Sequence, residues 1–170
     1  MTRIPEKRPQ PASVRKPTAA HPRRPHRAIF VDVENTSSEN TLLPVLVSLN
    51  IDFGAQPTEL RAIGNWRSVG QRLGDRLANM GALLLHSAPV SGVKDWSDLW
   101  IAAAAGCWLA KAAPGDTLEI VSDDRAFDAV GDAAAALGVT FRRVSCRSTG
   151  RNAPAAVQRR GALSLCRRSG

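Results

Sequence analysis

Acidic residues follow three apolar segments of the chain, and their types and spacing are those of a site for a divalent cation. Asp32 ends the segment AIFVD, Asp98 comes after ALLLHSA at the start of a helical stretch, and Asp124 follows EIVSD. Asp128 comes four residues after Asp124 and would share its face of a helix. Carboxylates held this close repel one another unless a cation neutralises them. Oxygen ligands favour Mg²⁺ or Mn²⁺ over zinc, and such a bound ion can hydrolyse phosphodiester bonds.

Strand-like and helix-like segments alternate along the chain, and this alternation predicts the fold that positions the acids. Short apolar runs predict five strands: RAIFVDV, TELRAIGN, ALLLHSA, TLEIVS and VTFRRVS. Segments with helical spacing lie between them: NTLLPVLVSLN, SVGQRLGDRLANM, WSDLWIAAAAGCWLAKA and RAFDAVGDAAAALG. The first helix is compatible with Pro44 only if this proline lies in the first turn. The pattern predicts an α/β domain of three layers, with a mostly parallel sheet of about five strands between two layers of helices.

The predicted sheet would bring the acids to one edge. In open parallel sheets, ligands bind beyond the carboxyl ends of the strands, near the point where the strand order reverses. The first and fourth strands are commonly neighbours in such sheets, so Asp32 and Asp124 should lie close together. Asp98, at the start of the long third helix, should face the same edge. Asn35 then fits a supporting role, because its amide can orient the Asp32 carboxylate or bind a phosphate oxygen.

Several neighbouring polar residues have plainer structural roles as alternatives. Asp123 is expected to be the N-cap of the helix that follows it, and Asp95 is expected to cap the long helix rather than bind a metal. Glu34 is compatible with a solvated loop, and His86 with the rim of the site. Lys94 could bind a phosphate of a substrate or be an ordinary solvated surface lysine.

The excess of positive over negative charge lies in the two ends of the chain. The net charge is +8, yet residues 28–141 contain 7 basic and 14 acidic residues. Residues 1–27 hold eight Lys or Arg among six prolines, and residues 142–170 hold eight Arg and no acid. This composition predicts a folded domain over residues 28–145 between a disordered, proline-rich basic tail and a second basic tail over residues 146–170.

The cysteines and the hydropathy of the chain predict a cytoplasmic protein. Cys107, Cys146 and Cys166 form no C-x-x-C pair, which argues against a disulfide framework and against a zinc site. The N-terminal tail has no apolar segment of the kind found in secretory signals. The longest apolar run, LWIAAAAGCWLA, is shorter than the roughly 20 residues that a membrane span needs.

Three motifs, in this order along the chain, resemble those of the PIN-like ribonuclease superfamily and of its NYN branch. FVDVENT resembles the family's strand that ends in D-x-x-N or D-x-E-N, and KDWSDLWIAAAAG resembles its K-N-x-x-D-[FL]-x-[IL]-A helix start. IVSDDRAFDAV resembles its strand followed by S-x-D-x-G-F-D. Ala126 departs from the family's glycine, and Asp95 replaces its asparagine. The segment IGNW, from Ile63 to Trp66, resembles the family's G-x-N-Q in part.

The resemblance implies a PIN-like fold and an endoribonuclease that hydrolyses single-stranded RNA with Mg²⁺ or Mn²⁺. By their positions in the motifs, the acidic metal-binding and catalytic set would be Asp32, Asp98, Asp124 and Asp128, supported by Asn35.

Around these acids, the predicted substrate-binding residues are Lys94, Ser122, Asn65 and Trp66. Ser122 would also support the acids, and Trp66 and Trp96 are candidates for stacking on bases. The basic tails would attract RNA without sequence preference. A homodimer is left open by the sequence.

Two other functions are alternatives. One is a non-catalytic PIN-like module, which would act through its tails by RNA binding or regulation. Such a module would not need the four acids, so their presence argues against it. A haloacid-dehalogenase-type phosphatase has a D-x-D-x-T loop that FVDVENT resembles, but Glu34 stands where its second aspartate would be. A receiver domain would need an aspartate after the third strand and a lysine after the fifth, and ALLLHSAPV and RRVSC supply neither.

Overall fold

The computed structural model describes residues 23–36, 38–87, 93 and 95–147. Within these residues, the strands are β1 Arg27–Asp32, β2 Thr58–Gly64, β3 Leu83–His86, β4 Thr117–Val121 and β5 Thr140–Val144. The helices are α1 Glu39–Ser48, α2 Gln71–Asn79, α3 Trp96–Leu109 and α4 Asp128–Ala136, and a short 3-10 turn, Arg125–Phe127, precedes α4. Each strand and helix that the alternation predicted is present, in the predicted order.

The strands form one parallel sheet in the order β3-β2-β1-β4-β5. β1 lies at the centre and pairs with β2 on one side and with β4 on the other. The chain adds β2 and β3 on one side of β1 and then crosses back to add β4 and β5 on the other side. The strand order therefore reverses between β1 and β4, as predicted, and this is where parallel sheets place their ligand sites.

The helices cover both faces of the sheet, which confirms the predicted three-layer α/β fold. On one face, Leu46 of α1 and Leu77 of α2 pack in a cluster with Ile29 of β1. On the other face, Ile101 of α3 packs in a second cluster with Phe30 of β1. Ile29 and Phe30 are consecutive, and their side chains point to opposite faces because side chains alternate along a strand.

The first helix tolerates a proline further from its start than predicted. α1 begins at Glu39, so Pro44 is its sixth residue and lies in the second turn, and the prediction of a first-turn proline is wrong. Proline has no N–H, so the Asn40 carbonyl receives no hydrogen bond from it. Pro44 and Asn40 are exposed, and water can take this role. Burial of Leu42 and Leu46 holds the helix in place.

Residues outside the predicted limits of the domain are attached to the fold at both ends. The Arg23 guanidinium binds the two carboxylate oxygens of Asp116 at 3.1 and 3.0 Å, and the His26 N–H donates to the same carboxylate at 2.8 Å. At the other end, Cys146 is buried against the core on the α1 side of the sheet. The folded part of the chain therefore begins before β1 and continues past β5.

Most of the two predicted tails, residues 1–22 and 148–170, lies outside the described residues. The longest described helix, α3, has 14 residues and is about 21 Å long at 1.5 Å per residue. No helix in the described part of the chain combines the length and the apolar character that crossing a membrane would require.

Candidate active site

A crevice of about 350 Å³ opens beyond the carboxyl ends of β1 and β4, where the strand order reverses. Its walls come from the loop after β1, the start of α3 and the loop after β4. The lining residues are Glu34, Asn35, Val93, Asp95, Trp96, Ser97, Asp98 and Asp124. Half of these side chains are acidic, so the crevice concentrates negative charge at the position where parallel sheets bind ligands.

Asp32 ends β1 beneath this crevice and is fully buried. One of its carboxylate oxygens, Oδ2, accepts a hydrogen bond from the Ser122 hydroxyl at 2.9 Å. The other, Oδ1, accepts from the Asn35 backbone N–H at 3.3 Å. The carboxyl group of Asp98, at the start of α3, is close enough for the two acids to affect each other's pKa. The two hydrogen bonds compensate the cost of burying the Asp32 carboxylate and fix its orientation.

The pKa values of Asp32 and Asp98 are both raised, because burial disfavours the charged form of a carboxyl group. Burial raises the pKa of Asp32, although hydrogen bonds from Ser122 and Asn35 oppose the rise. Burial is also the main reason that the pKa of Asp98 is raised to about 7, followed by the charges of Asp32 and Asp124. The Asp98 carboxyl therefore keeps its proton up to near neutral pH. A cation placed here would relieve the same repulsion.

The buried hydroxyl of Ser122 joins two walls of the crevice. Ser122 follows β4, and its N–H donates to the Val144 carbonyl at 3.1 Å, which fixes it against β5. Its Oγ donates to Asp32, accepts from the Asp124 N–H at 3.1 Å, and lies 3.5 Å from the Asn35 amide nitrogen. The sequence placed Ser122 among substrate-binding residues, and the structure places it beneath the acids, as a support for them.

Asp123 and Asp124 are adjacent in sequence but have different roles. Asp124 lines the crevice, and its Oδ1 accepts from the Ala126 N–H at 2.8 Å, so Asp124 is the N-cap of the 3-10 turn. The side chain of Asp123 points away, accepts from the Cys146 N–H at 3.0 Å, and forms an ion pair with Arg147 at 3.2 Å. The prediction that Asp123 caps the helix is wrong, because its carboxylate holds the chain that leaves β5.

Asp95 stands at the N-cap position of α3, yet its side chain forms no capping hydrogen bond. The predicted N-cap position is therefore confirmed, but the capping hydrogen bond is not formed, and Asp95 lines the crevice. Its backbone is left-handed, with φ 56° and ψ 28°. Among residues other than glycine, aspartate and asparagine adopt this conformation most readily. The aspartate of this chain and the asparagine of the family motif thus satisfy the same backbone requirement.

Asp128 lies apart from the other predicted acids. Its carboxylate accepts a hydrogen bond from Arg143 Nε at 2.8 Å, and its side chain is 59% exposed. Arg143 also approaches the Ser122 carbonyl at 3.4 Å, so it bridges Asp128 to the end of β4. The metal-binding role of Asp128 stays a prediction, since the structure pairs this carboxylate with an arginine.

Asn65 and Trp66, predicted to bind substrate, lie in the turn after β2 and are not among the residues that line the crevice. The Trp66 indole N–H donates to the Leu85 carbonyl at 2.9 Å, and its ring packs against the core. The Asn65 side-chain oxygen accepts from the Arg67 N–H at 3.1 Å. His86, exposed at the end of β3, accepts from the Trp66 N–H at 3.3 Å. Both substrate-binding roles stay predictions.

Of the two tryptophans considered for base stacking, Trp96 is the one at the crevice, where 39% of it is exposed. Lys94 lies outside the described residues. Sequence reasoning did not single out Gly64, although a Cβ at this position would lie 2.3 Å from the Val33 side chain and 3.1 Å from that of Glu34. The loop after β1 can therefore approach β2 only because residue 64 is glycine, and a glycine that ends an apolar strand was the available signal.

The carboxylates fit a hard divalent cation in type and charge. The candidate ligands at the crevice are carboxylate oxygens, and the raised pKa values of Asp32 and Asp98 indicate an excess of negative charge. In the part of the chain that the structure describes, no three acidic, histidine or cysteine groups are arranged so that they could hold one ion as they stand. Binding would therefore require loss of the Asp98 proton and movement of side chains toward the ion.

A comparison with curated proteins gave no match. Residues 26–159, more than three quarters of the chain, match the NYN domain. This match contains all five strands and every residue that lines the crevice. The resemblance of the three motifs is thereby confirmed over the whole described fold. The chain belongs to the NYN domain family of the PIN-like ribonuclease superfamily.

Proposed function

We propose that this protein is an endoribonuclease that uses Mg²⁺ or Mn²⁺ to cleave single-stranded RNA in the acidic crevice. The observation that carries the proposal is the position of Asp32, Asp98 and Asp124 where the strand order reverses, with burial and neighbouring charges raising the pKa of Asp98 to about 7. Carboxylates gathered in a cleft with raised pKa values are typical of functional sites. The NYN family is generally a family of nucleases, and divalent metals are common in it.

In this proposal, Asp32, Asp98 and Asp124 hold the ion. When bound, it would activate water and offset the charge that develops on the phosphate. Ser122 keeps the Asp32 carboxylate and the loop of Asp124 at a fixed separation through its two hydrogen bonds. The Asn35 side chain is half-buried at the crevice wall, where its amide can donate to a phosphate oxygen.

The surroundings of the crevice suit an extended polymer better than a small substrate. A second groove, of about 380 Å³, shares Glu34 with the crevice and runs past Gly70 and Arg72 at the start of α2. The Arg72 side chain is 78% exposed and pairs with Glu39 of the same groove at 3.8 Å, a pairing long enough to be exchanged for a phosphate. RNA would thus occupy both grooves, with the scissile phosphate beside the acids.

The geometry favours this proposal over a phosphatase in which Asp32 attacks phosphorus. Such a nucleophile must contact the phosphorus atom of a substrate, whereas the Asp32 side chain is fully buried, so that a small ion would reach it more easily than a phosphate. Glu34, which would be the acid in that mechanism, is exposed.

The test is cleavage of a labelled single-stranded RNA by the purified full chain with Mg²⁺ or Mn²⁺, compared with the same reaction in EDTA. The variant Asp98→Asn should reduce cleavage to the EDTA background and weaken Mn²⁺ binding measured by calorimetry. The matched control is Asp132→Asn, which makes the same change at an exposed position of α4. Tight RNA binding without metal-dependent cleavage would overturn the proposal in favour of a non-catalytic RNA-binding module.

A further inference from the structure

The outward face of α3 is apolar along its whole length. Every exposed residue between Trp96 and Leu109 is uncharged: Trp96, Leu99, Trp100, Ala103, Gly106 and Cys107. Trp96, Leu99 and Trp100 are 39%, 61% and 36% exposed. A surface helix normally places polar side chains on the face opposite to its core. α3 lacks such a face, which indicates that another surface covers it.

The exposed residues of α3 have the spacing of a helix-packing seam. Steps of four and three residues lead along this seam, which consists of Trp96, Trp100, Ala103, Cys107 and the exposed Ala110 that ends the helix. Such a repeat of 3.5 residues keeps one stripe facing a partner helix, and small residues in the stripe let two helix backbones approach closely. We call these five residues, with Leu99 and Gly106 beside them, the α3 seam.

Charge argues that the partner of the α3 seam is protein rather than nucleic acid. The sequences of α3 and α4, which contact each other, contain no Lys or Arg. Asp132 is exposed on α4, and Asp128 is also exposed but is paired with Arg143 of β5. A nucleic acid laid along this side would bring its phosphates to the Asp132 carboxylate without a cation from either helix, which opposes binding.

The α3 seam is complementary to itself when two copies meet antiparallel with Ala103 opposite Ala103. In that arrangement Trp96 lies opposite Ala110, seven residues to either side of the centre. Leu99 lies opposite Cys107. Trp100 lies opposite Gly106, whose Cα has open space where a side chain would be. Each large side chain of one copy therefore meets a small residue of the other, which is the shape relation that a two-fold interface requires.

We propose that the protein forms a homodimer through an antiparallel pair of α3 helices centred on Ala103. The exposed area of the seam is roughly 400 Å² per copy, so the pair would bury about 800 Å², below the roughly 1,200 Å² of stable specific interfaces and in the range of weak, transient ones. The dimer therefore dissociates on dilution. Trp96 belongs both to the seam and to the crevice wall, so dimer formation fixes one side of the crevice. This inference does not depend on nuclease activity.

The first measurement is the mass of the full chain by sedimentation equilibrium over a wide range of concentrations. The expected result is a rise from one chain to two. In the variant Ala103→Glu, two carboxylates would meet at the centre of the pair, and the protein should stay monomeric at every concentration. Ala133→Glu makes the same change on the exposed side of α4 and should leave the dimer intact. Circular dichroism checks that both variants keep their helices.

Cross-linking tests the register independently. In a Cys107→Ser, Cys166→Ser background, the change Ala103→Cys should give a disulfide-linked dimer on treatment with oxidised glutathione, because the two thiols would face each other across the two-fold axis. Ala133→Cys in the same background should stay monomeric.

Three results would overturn the proposal. The first is a wild-type protein that stays monomeric at high concentration, and the second is a dimer that survives Ala103→Glu. The third is a monomer whose tryptophan fluorescence is quenched by single-stranded RNA in wild type but not in Trp100→Ala. That last result would assign the α3 seam to nucleic acid.

Discussion

Replacing Ser122 by alanine should loosen the acidic crevice, because one buried hydroxyl serves two of its walls. The change removes the donor to Asp32 Oδ2 at 2.9 Å and the acceptor of the Asp124 N–H at 3.1 Å. A hydrogen bond to a charged group contributes about 1.5–3 kcal/mol, and a neutral one about 0.5–1.5 kcal/mol. Asp124 is half-buried, so water can replace its lost acceptor, whereas Asp32 is fully buried and keeps the deficit.

The expected loss of stability is therefore about 2 kcal/mol, mostly from Asp32. For a domain of this size it corresponds to a fall of roughly 6–10 °C in Tm. The loss of stability should not exceed this value, because the Ser122 hydrogen bond also lowers the pKa of Asp32. Without it the carboxyl would take up a proton more readily, and part of the penalty of a buried charge would disappear.

The assay is urea unfolding at neutral pH in EDTA, followed by tryptophan fluorescence and circular dichroism. Ser68→Ala is the matched control, since the Ser68 hydroxyl donates to the Asn65 carbonyl at 2.8 Å at an exposed position. The control should lose less than about 0.5 kcal/mol. If Ser122→Ala lost no more than Ser68→Ala, the idea that this hydroxyl holds the two walls together would be refuted.

Three further predictions, which use five substitutions, test other parts of the fold by urea unfolding. Burial alone would raise the pKa of Asp116, but hydrogen bonds from two backbone N–H groups and an arginine lower it. Its carboxylate therefore stabilises the fold above about pH 4. This contribution is lost as the pH falls through the lowered pKa. Asp116→Asn should thus be less stable than wild type at pH 7, and the difference should shrink on acidification; an equal difference at both ends of the pH range would contradict this. In Gly131→Ala the new Cβ would lie 2.5 Å from Phe141 Cδ1, which should lower the free energy of unfolding by about 1–2 kcal/mol. In Gly106→Ala the new Cβ would meet open space, and the free energy of unfolding should rise by up to about 1 kcal/mol. Asp95→Val should lower the free energy of unfolding by about 1–2 kcal/mol, because the backbone at residue 95 is left-handed. Asp95→Asn should be nearly neutral. Equal effects of the two changes would contradict the argument from backbone strain.

Local patterns in the sequence were sufficient to predict the elements of the fold. Apolar runs of strand length and helical spacing, separated by breaks such as Pro114-Gly115, gave all five strands and four helices in order. The exception was the position of Pro44 within α1, because the rule that restricts proline to the first turn considers only the hydrogen bonds within one helix. Burial of Leu42 and Leu46 against the sheet outweighs the missing hydrogen bond of an exposed turn.

The candidate site was predictable as far as it depends on strand ends. Asp32, Asp98 and Asp124 meet because β1 and β4 are neighbours and α3 starts at the same edge. The roles of Asp123 and Asp128 were not predictable, because their partners are Arg147 and Arg143, residues at or beyond β5. Such long-range ion pairs depend on how the side chains finally pack, and no local pattern encodes them.

The two carboxylate anchors at the ends of the fold give the basic segments of the chain different starting points. Asp116 holds Arg23 and His26 just before β4, at the end of the sheet opposite to the crevice. Asp123 holds the residues after β5 immediately beside the crevice. With five residues, β4 separates the two anchors by roughly 17 Å.

The chain therefore enters and leaves the described part of the fold at different distances from the crevice. It leaves at Arg147, whose guanidinium pairs with Asp123 beside the crevice. It enters at Arg23, whose guanidinium pairs with Asp116 at the far end of the sheet. Both arginines are held by aspartates with buried side chains, yet only Arg147 is fixed on the side of the acidic site.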